Sequence, residues 1–66
     1  MNLTVNGSPV DLPEEATVAD LVAQRSGGHD RVAVARNGDV VPRSTWAATR
    51  LSPGDAVEVL APTAGG

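Results

Sequence analysis

Short apolar runs, each closed by a glycine or a proline, set the rhythm of this 66-residue chain. Leu3-Thr4-Val5 alternates apolar and polar, breaks at Asn6-Gly7, and Val10-Asp11-Leu12 alternates again. An Asn-Gly pair tolerates the positive φ angles of a tight hairpin turn. The pattern predicts a β-hairpin pairing Asn2–Val5 with Pro9–Leu12. Pro9 has no N–H to give to a ladder, which places the second strand at a sheet edge.

Pro13-Glu14-Glu15-Ala16 reads as a solvated connector. Beyond it the period changes. Val18, Leu21, Val22 and Arg25 fall at i, i+3, i+4 and i+7, and the first three make a narrow apolar stripe on one helix face. Thr17 is a good N-cap, and Asp20 three residues later suits the positive end of the helix dipole. Ser26-Gly27-Gly28 ends the helix in the manner of a C-cap. The helix predicted is Val18 to about Arg25, too short to stand without packing.

Val32-Ala33-Val34-Ala35 is a third strand, and Asn37-Gly38 is a second hairpin turn with Val40-Val41 returning. Pro42 ends that strand. Ser44 to Ala48 predicts a short helical turn capped by Ser44. Ser52-Pro53-Gly54-Asp55 is a turn, with proline preset at its second position. Ala56–Leu60 is the last strand, and Pro62 takes the chain out of the sheet. Along that strand Val57 and Val59 share one face, and Glu58 and Leu60 the other. Either Leu60 faces out and awaits a partner, or it completes the core and the valines face out. The order is β-β-α-β-β-β, an α+β two-layer domain in which one amphipathic helix covers one sheet face.

Composition narrows the partners. Sixty-six residues make a single domain, expected to bury only about 60% of its unfolded surface. Cysteine is absent, so neither a disulfide nor a zinc cluster can staple it. The net charge of −3 and the scatter of Arg25, Arg31, Arg36, Arg43 and Arg50 give little support to nucleic-acid binding. No apolar run reaches membrane-spanning length and no signal peptide is evident, so a soluble, cytoplasmic protein is expected. No metal site is expected. Trp46 reads as core or a lid over a sheet edge, Arg43 as a solvated charge or a contact for a partner's acid or phosphate, and His29 as unassigned loop.

The chemistry concentrates in Pro62-Thr63-Ala64-Gly65-Gly66, expected to form a flexible tail on a domain that fills the whole chain. Consecutive glycines bury nothing and lose the most entropy on ordering. What they offer is slimness: five extended residues reach roughly 15 Å into a narrow channel. Lysine is absent as well, so no side-chain amine could intercept an activated acyl group at this end.

The element order followed by a diglycine resembles the ubiquitin-like β-grasp fold, a mixed sheet of about five strands with one main helix on one face. Within it, the chain is similar to the ThiS family of thiamine-pathway sulfur carriers. The residues that carry the likeness are Asn37-Gly38, Val41-Pro42-Arg43 with Trp46, Gly54-Asp55 and Ala64-Gly65-Gly66. Val5-Asn6-Gly7 and Thr17 to Leu21 match more loosely.

The resemblance implies a carrier that is not itself an enzyme. An E1-like adenylyltransferase (ThiF-type) spends MgATP to convert the Gly66 carboxylate into an acyl-adenylate. Sulfur from a cysteine desulfurase persulfide leaves Gly66 as a thiocarboxylate, which a thiazole synthase (ThiG-type) consumes in forming the thiazole of thiamine. The chain itself is expected to bind no cofactor and to be a free monomer. Gly66 would bear the sulfur, Gly65 and Ala64 would present it, and Leu60, Pro62 and Thr63 would contact partners. The rival readings are a molybdopterin sulfur carrier of the MoaD type, a ubiquitin-like tag joined to lysines, and a plain interaction module.

Overall fold

Each of the two Asn-Gly pairs turns the chain back on itself with both residues at positive φ: 52° and 82° at Asn6 and Gly7, 52° and 87° at Asn37 and Gly38. Such two-residue turns match the right-handed twist of the strands they join. In the computed structural model, which describes residues 1–26 and 32–60, these turns make two hairpins. Strands β1 (Asn2–Val5) and β2 (Ser8–Asp11) form the first, and β3 (Ala33–Arg36) and β4 (Asp39–Val40) the second. Helix α1 (Val18–Ser26) lies between them in sequence, and a 3-10 helix (Arg43–Ala48) precedes the last strand, β5 (Ala56–Leu60).

The sheet order is β2-β1-β5-β3-β4. β5 therefore enters between the hairpins, parallel to β1 and antiparallel to β3. This is the expected mixed five-stranded sheet with one main helix, and Pro9 does lie on an edge strand. The second strand runs Ser8–Asp11 rather than Pro9–Leu12, because a two-residue turn pairs Val5 with Ser8 directly. Leu12 leaves the strand but stays buried, and its N–H donates to the Met1 carbonyl at 2.9 Å. Likewise the third strand starts at Ala33, and the returning one is Asp39–Val40 rather than Val40–Val41, its start set by the Arg36–Asp39 pair.

One core joins the layers. Val18 and Leu21 are fully enclosed and Val22 nearly so, while Arg25 at the end of the same stripe is exposed. They meet Leu3, Val5, Val34 and Val57 from the sheet. The start of α1 is a reciprocal cap: the Asp20 N–H donates to Thr17 Oγ1 at 3.2 Å, and the Thr17 N–H to Asp20 Oδ2 at 3.0 Å. Glu14 and Glu15 are exposed, as a solvated connector requires.

Ser44 does not cap the short helix. Pro42 occupies that position in an extended conformation, and no side chain caps it. Thr45 instead bonds back to the Pro42 carbonyl through both its N–H and its hydroxyl, each at 2.9 Å. The turn exists to seat Trp46, which is buried and donates from Nε1 to the Val41 carbonyl at 2.9 Å. Trp46 is thus core. Arg43, exposed, holds its guanidinium 5.9 Å from the indole centroid. The expected helix stop at Gly27-Gly28, His29 and the tail from Pro62 onward lie outside the described residues.

Leu21 is the largest side chain with no solvent contact. Leu21→Ala should cost about 2–5 kcal/mol by lost burial and a residual cavity, lowering the urea midpoint with little change in its slope. Thr17→Ala should cost about 1 kcal/mol through the cap alone.

Candidate functional site: the last strand and its open face

β5 is the element that would deliver the tail, and both of its ends are held by side chains. At its start stands Asp55, a carboxylate only 6% exposed. Its Oδ2 accepts from Arg36 Nε at 2.7 Å and from the Ser52 N–H at 2.7 Å, and its Oδ1 accepts from Asn37 Nδ2 at 3.0 Å. The Asp55 carbonyl accepts the Thr4 N–H, and the neighbouring Gly54 N–H reaches the Asn2 carbonyl. Asn37 finishes the junction: its Oδ1 accepts the Ala56 N–H at 2.9 Å and its own N–H donates to the Ala56 carbonyl at 2.8 Å. The first strand and the second hairpin are therefore both tied to the start of the last strand at Asp55, the first strand through the Asp55 main chain and the hairpin through its carboxylate.

Burial of Asp55 would raise its pKa. Hydrogen bonds from Arg36, Asn37 and the Ser52 amide, together with the Arg36 charge, more than offset that and hold the pKa below the ordinary carboxylate value. A buried charge that is both paired with a cation and hydrogen-bonded at each oxygen is the arrangement in which such a group is tolerated.

At the other end of β5 the clamp is Asn6. β1 pairs with β5 only through Thr4–Ala56 and Val5–Val57. There the β1 chain turns away, and the Asn6 side chain continues the ladder in its place. Its Oδ1 accepts the Val59 N–H at 2.9 Å, and its Nδ2 donates to the Val59 carbonyl at 3.1 Å.

Between the clamps, the strand's two faces divide as its alternation implies. Val57 is in the core and Val59 is half-buried against it. Leu60 is 64% exposed, so the reading in which it completes the core is excluded. The register sets Leu60 beside Ala33, Glu58 beside Ala35, and Ala35 beside Val40. Val40 is 78% exposed. Both large exposed apolar side chains among the described residues thus lie on the sheet face away from α1, joined by small alanines and carrying one acid, Glu58. This open face is the candidate surface for a partner.

The ThiS family model matches residues 3–66. The chain belongs to the ThiS family. Its fold agrees with the crystal structure of a thiamine biosynthesis protein, ThiS, from Geobacter metallireducens, at a TM-score of 0.82 and 39% identity, each chain wholly covered. The solution structure of a thiamine biosynthesis protein from the same organism agrees at a TM-score of 0.79 and 43% identity, covering all of this chain and 88% of that one. A protein named thiazole synthase, from Paramagnetospirillum magneticum, is 33% identical over 66 residues. Those residues are all of this chain and 20% of that relative, so the chain spans about a fifth of its length.

Of the ThiS site residues expected from sequence, Leu60 is placed, outward and next to the tail. Pro62, Thr63, Ala64, Gly65 and Gly66 lie outside the described residues. Sequence reasoning missed Val40 as a member of the open face, although its pairing partner across Asn37-Gly38 follows from the turn length. It also missed the side chains of Asn6, Asn37 and Asp55. Each was read only for its turn geometry, and nothing local in sequence reveals what a turn's side chain will reach. Among the described residues, no group of three or more His, Cys, Asp or Glu is placed to hold a metal ion, and no helix is long and apolar enough to cross a membrane.

Because the folded-state pKa of Asp55 is depressed, its contribution to stability is full above the ordinary carboxylate value of 3.8 and is lost as pH falls below it. Asp55→Asn should lower stability at neutral pH by about 1–3 kcal/mol, since donors at Ser52, Asn37 and Arg36 lose their charged acceptor. Its stability should also fall less steeply than wild type below pH 3.8, measured as urea midpoints across that range.

Proposed function

We propose that this chain is the sulfur carrier of thiamine thiazole biosynthesis, with the Gly66 carboxyl as the group that carries sulfur. The observation that carries the reading is the family match, which runs through the diglycine at residues 65 and 66 onto a strand whose open face is uncovered. A carboxylate is a poor electrophile, because its charge repels nucleophiles and oxide leaves badly. Its oxygen attacks the α-phosphorus of MgATP on an E1-like, ThiF-type adenylyltransferase, pyrophosphate departs, and the acyl-adenylate forms. The terminal sulfur of a cysteine desulfurase persulfide then attacks the carbonyl and AMP departs. A thiol reductant cleaves the S–S bond and frees the thiocarboxylate, which is ionised and nucleophilic at neutral pH.

A ThiG-type thiazole synthase is the proposed acceptor. In support, the segment like this one in Paramagnetospirillum magneticum belongs to a protein named thiazole synthase. The chain's own part in this chemistry is presentation, and the enzymology rests with its partners. In this reading Pro62 and Thr63 contact the partner, Ala64 and Gly65 keep the approach slim, and the patch of Leu60, Ala33, Ala35 and Val40 docks the body. Glu58 in that patch suits a partner surface with a basic residue.

Incubation with a ThiF-type enzyme, MgATP and a persulfide source should add the mass that replaces one oxygen by sulfur, and deletion of Gly66 should abolish it. No adduct and no adenylate under these conditions would exclude the carrier reading. Gly65→Ala should slow activation far more than it lowers stability. Leu60→Asp should change stability by no more than about 0.5 kcal/mol, being largely exposed, yet weaken partner binding by about 1–3 kcal/mol. Titration calorimetry against the activating enzyme separates those two effects.

A further inference from the structure

We infer that Asn6 is a positioning residue for the reactive tail, a role that rests on the carrier reading and adds a specific device to it. On the β3 side, β5 is paired along Val57 to Leu60. On the β1 side, main-chain strand pairing stops at Val57. Left so, the last three residues before the tail would be tethered along one edge only. The Asn6 amide supplies the missing rung. It reproduces with one side chain the donor and acceptor of a strand residue, gripping both the N–H and the carbonyl of Val59. Val59 immediately precedes Leu60, the exposed docking side chain, and stands two residues before the segment 61–66. Gripping it fixes the backbone from which residues 61–66 continue and holds Leu60 facing outward.

The residue type follows from two demands at one position. The φ of 52° at Asn6 calls for Gly, Asn or Asp, and the grip on Val59 calls for an adjacent donor and acceptor. Only asparagine satisfies both. Asn37, also at a φ of 52°, holds the opposite end of β5 in a different way: its Oδ1 accepts the Ala56 N–H, its Nδ2 donates to Asp55, and its main-chain N–H donates to the Ala56 carbonyl. The two Asn-Gly turns are thus two clamps on one strand.

Asn6→Gly tests the role, because glycine accepts the turn and deletes only the grip. Val10→Ala, which trims a partly buried side chain of the edge hairpin and leaves the Asn6 grip intact, serves as a control for general loss of stability. Two readouts are needed at a temperature where circular dichroism shows all proteins folded. In hydrogen exchange, the Val59 amide should lose protection selectively in Asn6→Gly and keep it in Val10→Ala, a measurement that requires no partner enzyme. In steady-state adenylation by the ThiF-type enzyme, kcat/KM for Asn6→Gly should fall roughly 5- to 30-fold, the effect of having to order about one freed backbone residue on binding. The loss should lie chiefly in KM. Asn6→Asp keeps an acceptor for the Val59 N–H and should fall between the two.

Unchanged Val59 exchange in Asn6→Gly would overturn the clamp. Loosened Val59 with activation equal to Val10→Ala would overturn the positioning role while leaving the clamp as structure. Failure of the wild-type chain to be adenylated would overturn the carrier reading, and the positioning role with it, whatever Val59 does.

Discussion

Asp55 is the residue at which three segments far apart in sequence are fastened. It takes the Arg36 guanidinium and the Asn37 amide from the second hairpin, and the Ser52 N–H from its own turn. Its main chain takes the Thr4 N–H from the first strand. A charge this enclosed is costly unless it is paired and hydrogen-bonded, and three donors and the Arg36 charge meet that need here. With it in place, β5 can only enter the sheet in the gap between β1 and β3. With β5 there, the core valines of both hairpins face the single helix.

The fold then reads as a device for holding one strand. A parallel neighbour, an antiparallel neighbour, a buried carboxylate at the start and an asparagine clamp at the end all converge on residues 55 to 60. None of these supports covers the outer face, where Leu60 and Val40 stay in contact with solvent. A domain with a core this small would gain by burying those two side chains. Instead they stay exposed on the strand that precedes the diglycine in sequence, and it is on this open face that the proposed carrier role rests.

Element types were legible from local chemistry because each is set by neighbours in sequence. The i, i+3, i+4 stripe of Val18, Leu21 and Val22 predicted the helix, and the Thr17–Asp20 spacing predicted its cap. The Asn-Gly pairs predicted both hairpins, and Pro9 predicted an edge. Strand limits slipped by one residue where a two-residue turn fixes pairing more tightly than alternation does. The Ser44 cap failed because Thr45, one position later, has the geometry to reach the Pro42 carbonyl.

By itself, then, the sequence determined the inventory: two hairpins, one capped helix, a final strand with a two-faced pattern, and a diglycine at residues 65 and 66. Those follow from propensity, periodicity and turn chemistry, all of which act over a few residues. Tertiary structure alone decided that Leu60 faces solvent, that Val40 joins it across β3, and that Asn6, Asn37 and Asp55 use their side chains to fasten β5. The Asn6–Val59 contact spans 53 residues and the Asn37–Asp55 contact 18. Hydrogen bonds across such separations depend on which strands become neighbours, and that is settled only when the sheet closes on its core.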